Sequence, residues 1–252
     1  MNSQPSPYAG HRIPGAARIG AAAWIVAAVQ FFAVQLAVQS GWRTPYSWAT
    51  FNISDLGNVH CGKWDASRPR YVCSPLHDAM NVSFAVHGVL LLAGALLIGG
   101  CWGRGGAAVA ARVLFVLNCG GWVLVGLVPA DVNENLHVLG ALFIMGLGNI
   151  GLVCAGFLRR DSLFGDGRLR LVTLAIAAVA QLATWLFFAQ ADPGIGLGGM
   201  ERLAAFALDA WVLVMAVAVF RAEKPVEKPV EKPAEKPAGR AHGAPGRSGT
   251  WV

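Results

Sequence analysis

Four long stretches of this sequence contain no Asp, Glu, Lys or Arg: residues 19–42, 79–103, 135–158 and 171–191. Each is as long as the roughly 20 residues that an α-helix needs to cross the hydrocarbon core of a bilayer. Charged residues make up only 13% of the chain, whereas soluble domains carry about 25%. This distribution excludes a water-soluble globule and predicts a polytopic integral membrane protein.

Hydropathy predicts an all-α fold, a bundle of six transmembrane helices at about residues 19–39, 80–101, 110–128, 137–158, 171–190 and 203–220. The membrane domain then covers residues 19–221, with an outer loop at 41–79, and follows an N-terminal arm at 1–18. Residues 222–252 form a tail with four copies of Glu-Lys-Pro followed by Val or Ala. Because the prolines remove helical hydrogen-bond donors and the paired charges keep the segment hydrated, the tail is predicted to be a disordered cytoplasmic spacer.

The positive charges indicate how the bundle is oriented. With the N-terminus inside, fifteen of the 20 Lys and Arg residues fall in the arm, the second and fourth loops and the tail. The other five lie at the opposite face, four of them in the outer loop. Because cytoplasmic segments carry the excess of Lys and Arg, both termini are predicted to be cytoplasmic and the protein to span the cell membrane.

The outer loop at 41–79 is too long to be a simple connection. It contains Cys61 and Cys73, and on the outer face a disulfide between them is chemically permitted and would close the loop. A zinc pair is disfavoured, because eleven intervening residues are far from the short Cys-x2–4-Cys knuckle. In the same loop Asp55 can cap a turn, and Gly57 can adopt a positive φ just beyond it.

Several short motifs follow one another in a fixed order along the chain. They are Ile-Ser-Asp-Leu-Gly at 53–57, Cys-Ser-Pro at 73–75, Asn81, Gly-Leu-Val-Pro at 126–129 with Asp131, His137, and Gly-Met-Glu-Arg at 199–202. In this order they resemble the domain of unknown function 998 family, and the resemblance runs from about residue 19 to 221. It implies a six-helix membrane bundle and does not imply a reaction.

Ionisable residues collect at the predicted outer ends of the helices, where their side chains can converge on a central crevice. The candidate acids and bases for catalysis are Asp55, His77, Asp131, His137 and Glu201. A carboxylate in a crevice of low dielectric constant holds its proton more tightly, which suits general-acid chemistry. Asp131 or Asn133 is also predicted to cap the fourth helix, which would place His137 in its first turns.

The candidates for ligand binding are Asn81, His87, Arg202 and Asp209. Asp209 lies within the sixth predicted span, where an ionisable residue costs several kcal/mol unless it is paired or faces water. Arg202 and Asp209 are seven residues apart, about two turns, so they are predicted to share one helix face. The alternative is an interhelical hydrogen-bond network that only fixes the packing. Its further members would be Asn118, Asn149 and Gln181.

Two functions remain open, with the lipid bilayer as a partner in both. The first is a bundle that binds a lipid or hydrophobic small molecule in an outward-facing polar crevice. The second is an intramembrane enzyme of the cyclase, isomerase or hydrolase type, acting on a lipid or isoprenoid through Asp, Glu and His acid–base chemistry.

Other classes find less support in the sequence. A metal-dependent enzyme would use His60, His77 and His137, but no paired-histidine motif on one helix supports a metal site. No motif requires a cofactor. A transporter is disfavoured because the spans show no clear internal repeat, and nucleic-acid binding is excluded because no basic folded surface is predicted.

Overall fold

The structure, a computed structural model, describes residues 13–66, 68–222 and 249. In that part of the chain, six helices are long and apolar enough to cross a membrane: Gly15–Ser40, His77–Trp102, Gly106–Leu127, Glu134–Ala155, Gly167–Phe188 and Leu197–Arg221. The predicted all-α bundle of six transmembrane helices is therefore confirmed. Most of the N-terminal arm, and all of the predicted tail except residues 222 and 249, lie outside the described residues.

The helices of the described chain are α1 (Gly15–Ser40), α2 (His77–Ile98), α3 (Gly106–Leu127), α4 (Glu134–Ala141), α5 (Gly148–Ala155), α6 (Gly167–Phe188), α7 (Leu197–Ala205) and α8 (Ala207–Arg221). Each span begins a few residues before the apolar stretch that predicts it. Asn133 caps α4 by accepting the N–H of Leu136 at 3.2 Å, one of the two caps predicted. Asp166 caps α6 by accepting the N–H of Arg168 at 3.1 Å.

Two of the six spans are interrupted part of the way across. The fourth span consists of α4, a π-helical turn at Leu142–Leu147 and α5. The sixth span consists of α7 and α8, with Phe206 between them. A π-helical turn departs from the regular i to i−4 hydrogen-bond pattern and is frequent at functional sites. In lipid, any carbonyl group released by such an interruption needs a donor from the protein itself.

Buried amide side chains supply donors at both interruptions. Asn118 of α3 donates from Nδ2 to the carbonyl oxygen of Ile144 in the π-helical turn, at 3.0 Å. Asn149 of α5 donates from Nδ2 to the carbonyl oxygen of Ala204, near the end of α7, at 3.0 Å. Both asparagine side chains are buried. The hydrogen-bonded interior predicted from the sequence is therefore present at these two residues.

The connections at one end of the bundle are dominated by residues 41–76, which we call the cap. Because successive spans run in opposite directions, the connections at 128–133 and 189–196 lie at the same end, which we call the cap end. The cap is three residues shorter than the predicted outer loop, since α2 begins at His77. It lies across the mouth of the bundle and supplies part of its core.

The cap has a regular structure of its own. It contains a 3-10 helix, Ser54–Gly57, and two antiparallel strands, β1 (Gly62–Trp64) and β2 (Arg70–Val72). A disulfide joins Cys61 to Cys73, the residues that flank the two strands. The disulfide predicted as the favoured pairing is therefore present, and it closes the hairpin at its base.

Close approach of α2 to α3 depends on the absence of a side chain at Gly88. A Cβ at this position would lie 2.5 Å from the carbonyl oxygen of Cys119 and 2.9 Å from the Cβ of Trp122. Backbone atoms cannot move aside as the end of a flexible side chain can, so the two helices would separate. Small residues of this kind allow membrane helices to gain packing contacts that the lipid tails cannot replace.

Candidate functional site

The cap is organised around a buried ion pair between Asp55 and Arg70. The guanidinium donates from Nε to Oδ2 and from Nη2 to Oδ1, and both distances are 2.7 Å. Asp55 also accepts the backbone N–H of Asn52 at 2.8 Å, which closes the turn before the 3-10 helix. Asp55 is 0% exposed and Arg70 is 6% exposed. The carboxylate of Asp55 is thus committed to the internal structure of the cap.

The environment of Arg70 keeps its guanidinium charged. Burial by itself lowers the pKa of Arg70, but the hydrogen bonds and charge of Asp55, joined by Asp65, outweigh it and raise that pKa above its usual value. Burial, followed by the positive charge of Arg70, lowers the pKa of the neighbouring Arg68. Arg68 is only partly buried and donates to the carbonyl oxygen of Thr50 at 2.9 Å. Both arginines therefore stabilise the cap. Arg70 does so through its ion pair with Asp55, and Arg68 through a hydrogen bond to the backbone.

Two adjacent residues of α7 bind the backbone of the cap from the bundle side. Oε2 of Glu201 accepts the N–H of Ile53 at 2.7 Å. Nη1 of Arg202 donates to the carbonyl oxygens of Trp48 and Phe51 at 3.0 and 2.7 Å. Each side chain therefore meets the backbone group of complementary polarity, and the start of the sixth span is joined to the cap.

The hydroxyl of Tyr46 connects Arg202 to the rest of the cap. Nη2 of Arg202 donates to the hydroxyl oxygen of Tyr46 at 2.5 Å, and the hydroxyl itself donates to the carbonyl oxygen of Asn52 at 3.0 Å. Burial raises the pKa of Tyr46, while the positive charge of Arg202 opposes that rise. The phenol therefore remains protonated at neutral pH and serves as donor and acceptor at once.

Asp131 binds the cap from the loop between α3 and α4. Its carboxylate accepts the backbone N–H of Val59 at 3.1 Å and that of His60 at 2.6 Å, and Nδ1 of His60 lies 3.0 Å from Oδ2. The Asp131 side chain is 4% exposed, whereas that of His60 is 74% exposed. The structure therefore places Asp131 in contact with the cap backbone.

Two candidates at the start of α2 also contact the cap. Nδ2 of Asn81 donates to the carbonyl oxygen of Gly57 at 2.9 Å, and Nδ1 of His77 lies 2.9 Å from the carbonyl oxygen of Ser74. The prediction that Gly57 adopts a positive φ is wrong, because its φ is not positive in the structure. A Cβ at this position would overlap Oδ1 of Asn81. Glycine is needed there to admit the asparagine side chain.

Two of the five candidate acids and bases, Glu201 and His137, line one cavity. The cavity has a volume of about 30 Å³, and Ser54 and Trp122 form part of its wall. Nδ1 of His137 lies 2.7 Å from the carbonyl oxygen of Val128. Since a carbonyl can only accept, Nδ1 carries the hydrogen and Nε2 is the nitrogen free for another contact. A cavity of this size holds about one water molecule.

A much larger space lies on the side of the bundle, between α6 and the sixth span. This groove has a volume of about 1010 Å³, and apolar side chains form most of its surface. Val179 and Leu203 line it from opposite helices and are 53% and 44% exposed. Trp48 of the cap and Arg202 of α7 also line the groove, and their mutual contact places them at its cap end. This groove was not predicted from the sequence.

Asp209 and His87 meet in the interior of the bundle. Nε2 of His87 lies 3.0 Å from Oδ1 of Asp209, and both residues are buried. The break at Phe206 separates Arg202 on α7 from Asp209 on α8. Arg202 binds the cap backbone, whereas Asp209 faces His87. The two residues were predicted to share one helix face, but they do not contact a common partner.

The histidines considered for a metal site make the separate contacts given above. Within the described ranges, no group of three or more His, Cys, Asp or Glu side chains is arranged to hold a metal ion. The catalytic and ligand-binding roles of the nine candidate residues stay predictions. The structure brings together Glu201 with His137, and His87 with Asp209, while Asp55, His77, Asp131, Asn81 and Arg202 contact the cap.

Sequence reasoning missed Arg70 and Tyr46, which complete the polar network of the cap. Arg70 was considered only as a positive charge in a loop, since its pairing with Asp55 depends on how the strands fold back. Tyr46 carried no signal other than its position in the long loop. An arginine and an aspartate fifteen residues apart, on either side of a cysteine, are the pattern that could have indicated the pair.

Comparison with known proteins shows which family the chain belongs to. The family model described as "Protein of unknown function (DUF998)" matches residues 25–218. The match covers more than half of the chain and includes the cap and all or part of each of the six spans, so the chain belongs to this family. No curated protein and no solved structure matches.

Removal of the negative charge at position 55 is expected to destabilise the protein strongly. In Asp55→Asn the side chain keeps its shape, but the buried Arg70 loses its principal counter-charge. Breaking a buried ion pair in this way costs about 3–5 kcal/mol. Thermal unfolding of the purified protein in detergent, followed by tryptophan fluorescence, should show a clear fall in the midpoint temperature.

The exposed pair of Asp161 with Arg159 provides the matched control. Its Arg Nε to Asp Oδ2 distance is 3.2 Å, but the side chains are 68% and 64% exposed, and such a pair contributes only about 0–1 kcal/mol. Asp161→Asn should therefore leave the midpoint almost unchanged. Equal shifts in the two variants would show that the cap does not depend on the buried pair.

Proposed function

We propose that this DUF998-family protein binds a lipid in the cell membrane, with a hydrocarbon chain of the lipid in the groove between α6 and the sixth span. The observation that carries the proposal is an apolar groove of about 1010 Å³ on the side of a membrane-spanning bundle. Small-molecule sites have volumes of about 300–1,000 Å³. A groove on the side of such a bundle faces the hydrocarbon of the bilayer, so a lipid chain can enter it without crossing water.

The cap end of the groove provides a polar boundary for the headgroup. Arg202 lines the groove while its guanidinium binds carbonyl oxygens of the cap. The guanidinium carbon lies 5.0 Å from the centre of the Trp48 ring, which also lines the groove. A cation beside an indole ring is an arrangement suited to the interface between hydrocarbon and headgroups. The proposed lipid is therefore oriented with its headgroup at the cap end.

The proposed site differs from the polar crevice predicted from the sequence. Several of the polar side chains expected to form that crevice, among them Asp55 and Asp131, bind the cap itself. The cap closes the end of the bundle, and the cavity left beneath it holds about one water molecule. The side of the bundle offers the larger space, so the lipid reaches its site from within the bilayer.

Filling the groove is expected to displace the lipid. Ala210 lines the groove and is exposed, so Ala210→Trp adds an indole to this space without entering the packed interior. After purification and extensive washing in detergent, native mass spectrometry of the wild-type protein should show about one retained lipid per chain. The fraction of chains with a retained lipid should fall at least about tenfold in Ala210→Trp, which requires binding to weaken by more than about 1.4 kcal/mol.

Val89→Trp is the matched control for this experiment. Val89 lies on α2, is 56% exposed and does not line the groove. The control variant should retain as much lipid as the wild type. If both variants lose lipid equally, or if the wild type retains none, the groove does not bind a lipid specifically.

We propose that the cap faces the outside of the cell and that both termini are cytoplasmic. The excess of Lys and Arg in the segments at the other end of the bundle supports this orientation. The bond between Cys61 and Cys73 supports it independently, because disulfides persist in oxidising compartments and are rare in the cytosol. The two arguments rest on different residues and agree.

Labelling of cysteines in intact cells tests the orientation. After treatment with a membrane-impermeant reductant, an impermeant maleimide should add to Cys61 and Cys73, and replacement of both by serine should abolish the label. Asp161→Cys in that serine background places a thiol at the opposite end of the bundle, where 64% of the side chain is exposed. This thiol should react only after the membrane is opened. The reverse pattern would place the cap in the cytosol.

A lipid-modifying enzyme is the second candidate, and the shared cavity of Glu201 and His137 favours it. Glu201 uses Oε2 to bind the N–H of Ile53, and both residues also face the same small space. A carboxyl group and an imidazole around one water are the components of general acid–base chemistry. In this alternative the cap would have to move before a lipid or isoprenoid reached the two side chains.

The substitution Glu201→Gln separates the two candidates. The amide keeps the size of the side chain and removes its acid–base function, so an enzyme should lose at least about a hundredfold in rate. Purified protein in vesicles of total membrane lipid, followed by mass spectrometry of the lipids, measures turnover. A lipid conversion present in the wild type and lost in Glu201→Gln would establish the enzyme. No conversion, with lipid still retained, supports binding alone.

A further inference from the structure

The contact of His87 with Asp209 lies within the membrane-spanning part of the bundle. His87 belongs to α2 and is 0% exposed, and Asp209 belongs to α8 and is 2% exposed. Nε2 of the histidine lies 3.0 Å from Oδ1 of the aspartate. Burying two ionisable groups at this depth raises the free energy of the protein unless their charges compensate one another.

The other ring nitrogen of His87 has a defined partner. Nδ1 lies 3.0 Å from the carbonyl oxygen of Ala27 on α1. A carbonyl oxygen has no hydrogen to donate, so the contact is a hydrogen bond only if Nδ1 carries the hydrogen. A neutral imidazole has one N–H group, which is then used at Nδ1. Nε2 would face Asp209 with its lone pair.

The carboxylate of Asp209 has no hydrogen-bond donor among the described residues. Neither oxygen accepts a hydrogen bond from the described residues, and the approach of Nε2 to Oδ1 is at ion-pair distance without the alignment of a hydrogen bond. An ionised aspartate beside a neutral imidazole would therefore be a bare buried charge facing a lone pair. Such a charge costs several kcal/mol in the interior of a membrane protein.

The rings around His87 are compatible with a positive charge on the imidazole. Its ring centre lies 4.7 Å from that of Phe31 on α1 and 4.9 Å from that of Trp122 on α3. Aromatic faces stabilise a nearby cation and do not compete for its protons. The immediate surroundings of the pair thus offer π-systems and one carbonyl oxygen.

The other ionisable groups on the helices that pack against α2 and α8 lie nearer the ends of their spans, except for two cysteine thiols. The groups toward the cap end are His77, Asp78, Glu201, Arg202 and Asp55 of the 3-10 helix, and those toward the opposite end are Arg18, Cys101, Arg112, Arg168, Arg170 and Arg221. Cys119 of α3 and Cys154 of α5 are the thiols. None of these groups makes an ion pair with His87 or Asp209, so the pair must be neutralised from within.

We infer that His87 and Asp209 together bind one proton in the interior of the bundle. The proton is held either as an imidazolium beside a carboxylate or as a carboxylic acid beside a neutral imidazole. Both arrangements make the pair neutral overall, and both remove the lone-pair contact. The site is a proton-binding site that joins α1, α2 and α8, independent of the lipid groove.

Occupancy by a proton has a mechanical consequence. While the proton is present, attraction between the two side chains supports the packing of α2 against α8. When it leaves, a net negative charge remains among aromatic rings, and the contact becomes unfavourable. The packing of α8, which begins just after the break at Phe206, is thereby coupled to a proton.

Spectroscopy of the full chain in lipid nanodiscs at pH 7 tests the inference. Nitrogen-15 NMR of labelled histidine reports whether both ring nitrogens of His87 carry a hydrogen, and infrared spectroscopy reports whether Asp209 has the C=O band of a protonated acid. Exactly one of these two signals should appear in the wild type. In Asp209→Asn the acid band should be absent and Nε2 should be unprotonated, because the amide N–H can now donate to it.

Asp192→Asn and His60→Gln are the controls. Asp192 lies in the exposed connection at 189–196, and the His60 side chain is 74% exposed, so each removes one carboxylate or imidazole signal without touching the pair. If Asp209→Asn does not fold, the wild-type spectrum still decides once His87 has been assigned by removing the other five histidines. Neutral imidazole with ionised Asp209 overturns the inference. Spectra that change with sodium and not with pH would also overturn it, because the site would then bind a metal cation.

Discussion

The ion pair of Asp55 with Arg70 is the contact on which the cap depends. It joins the 3-10 helix to β2, and the disulfide closes the same hairpin at its base. With the cap shaped in this way, its backbone presents an N–H group at Ile53 and carbonyl oxygens at Trp48 and Phe51 toward the bundle. Glu201 and Arg202 can bind these groups only because the cap already has this shape.

The bilayer explains why so many of the charged and polar side chains bind the protein itself. A polar group near hydrocarbon must find its partner within the protein, since the lipid offers none. Asn118 and Asn149 meet this requirement at the two interrupted spans, and Asp131 meets it at the cap. Residues that look catalytic in the sequence therefore take part in holding backbone groups. In the cavity beneath the cap and in the pair of His87 with Asp209, ionisable side chains contact more than backbone groups.

Helix length and composition made the six spans predictable, because crossing a bilayer as a helix requires about 20 predominantly apolar residues whatever the partners are. The long loop and its two cysteines were predictable for a similar reason, since a disulfide needs an oxidising face and a closable loop. The role of Gly57 was predicted wrongly. Local conformation was the only cause visible in the sequence, whereas the actual cause is the side chain of Asn81 on another element.

The sequence alone determined that this protein is a six-span membrane bundle with a large loop between the first two helices, because those properties follow from local hydropathy and spacing. Tertiary structure decided which ionisable side chain binds which partner: Asp55 with Arg70, Glu201 with the cap, and Asp209 with His87. It also produced the groove between α6 and the sixth span. These features arise from residues far apart in the chain, and burial and pairing are properties of a three-dimensional neighbourhood that no single stretch of sequence contains.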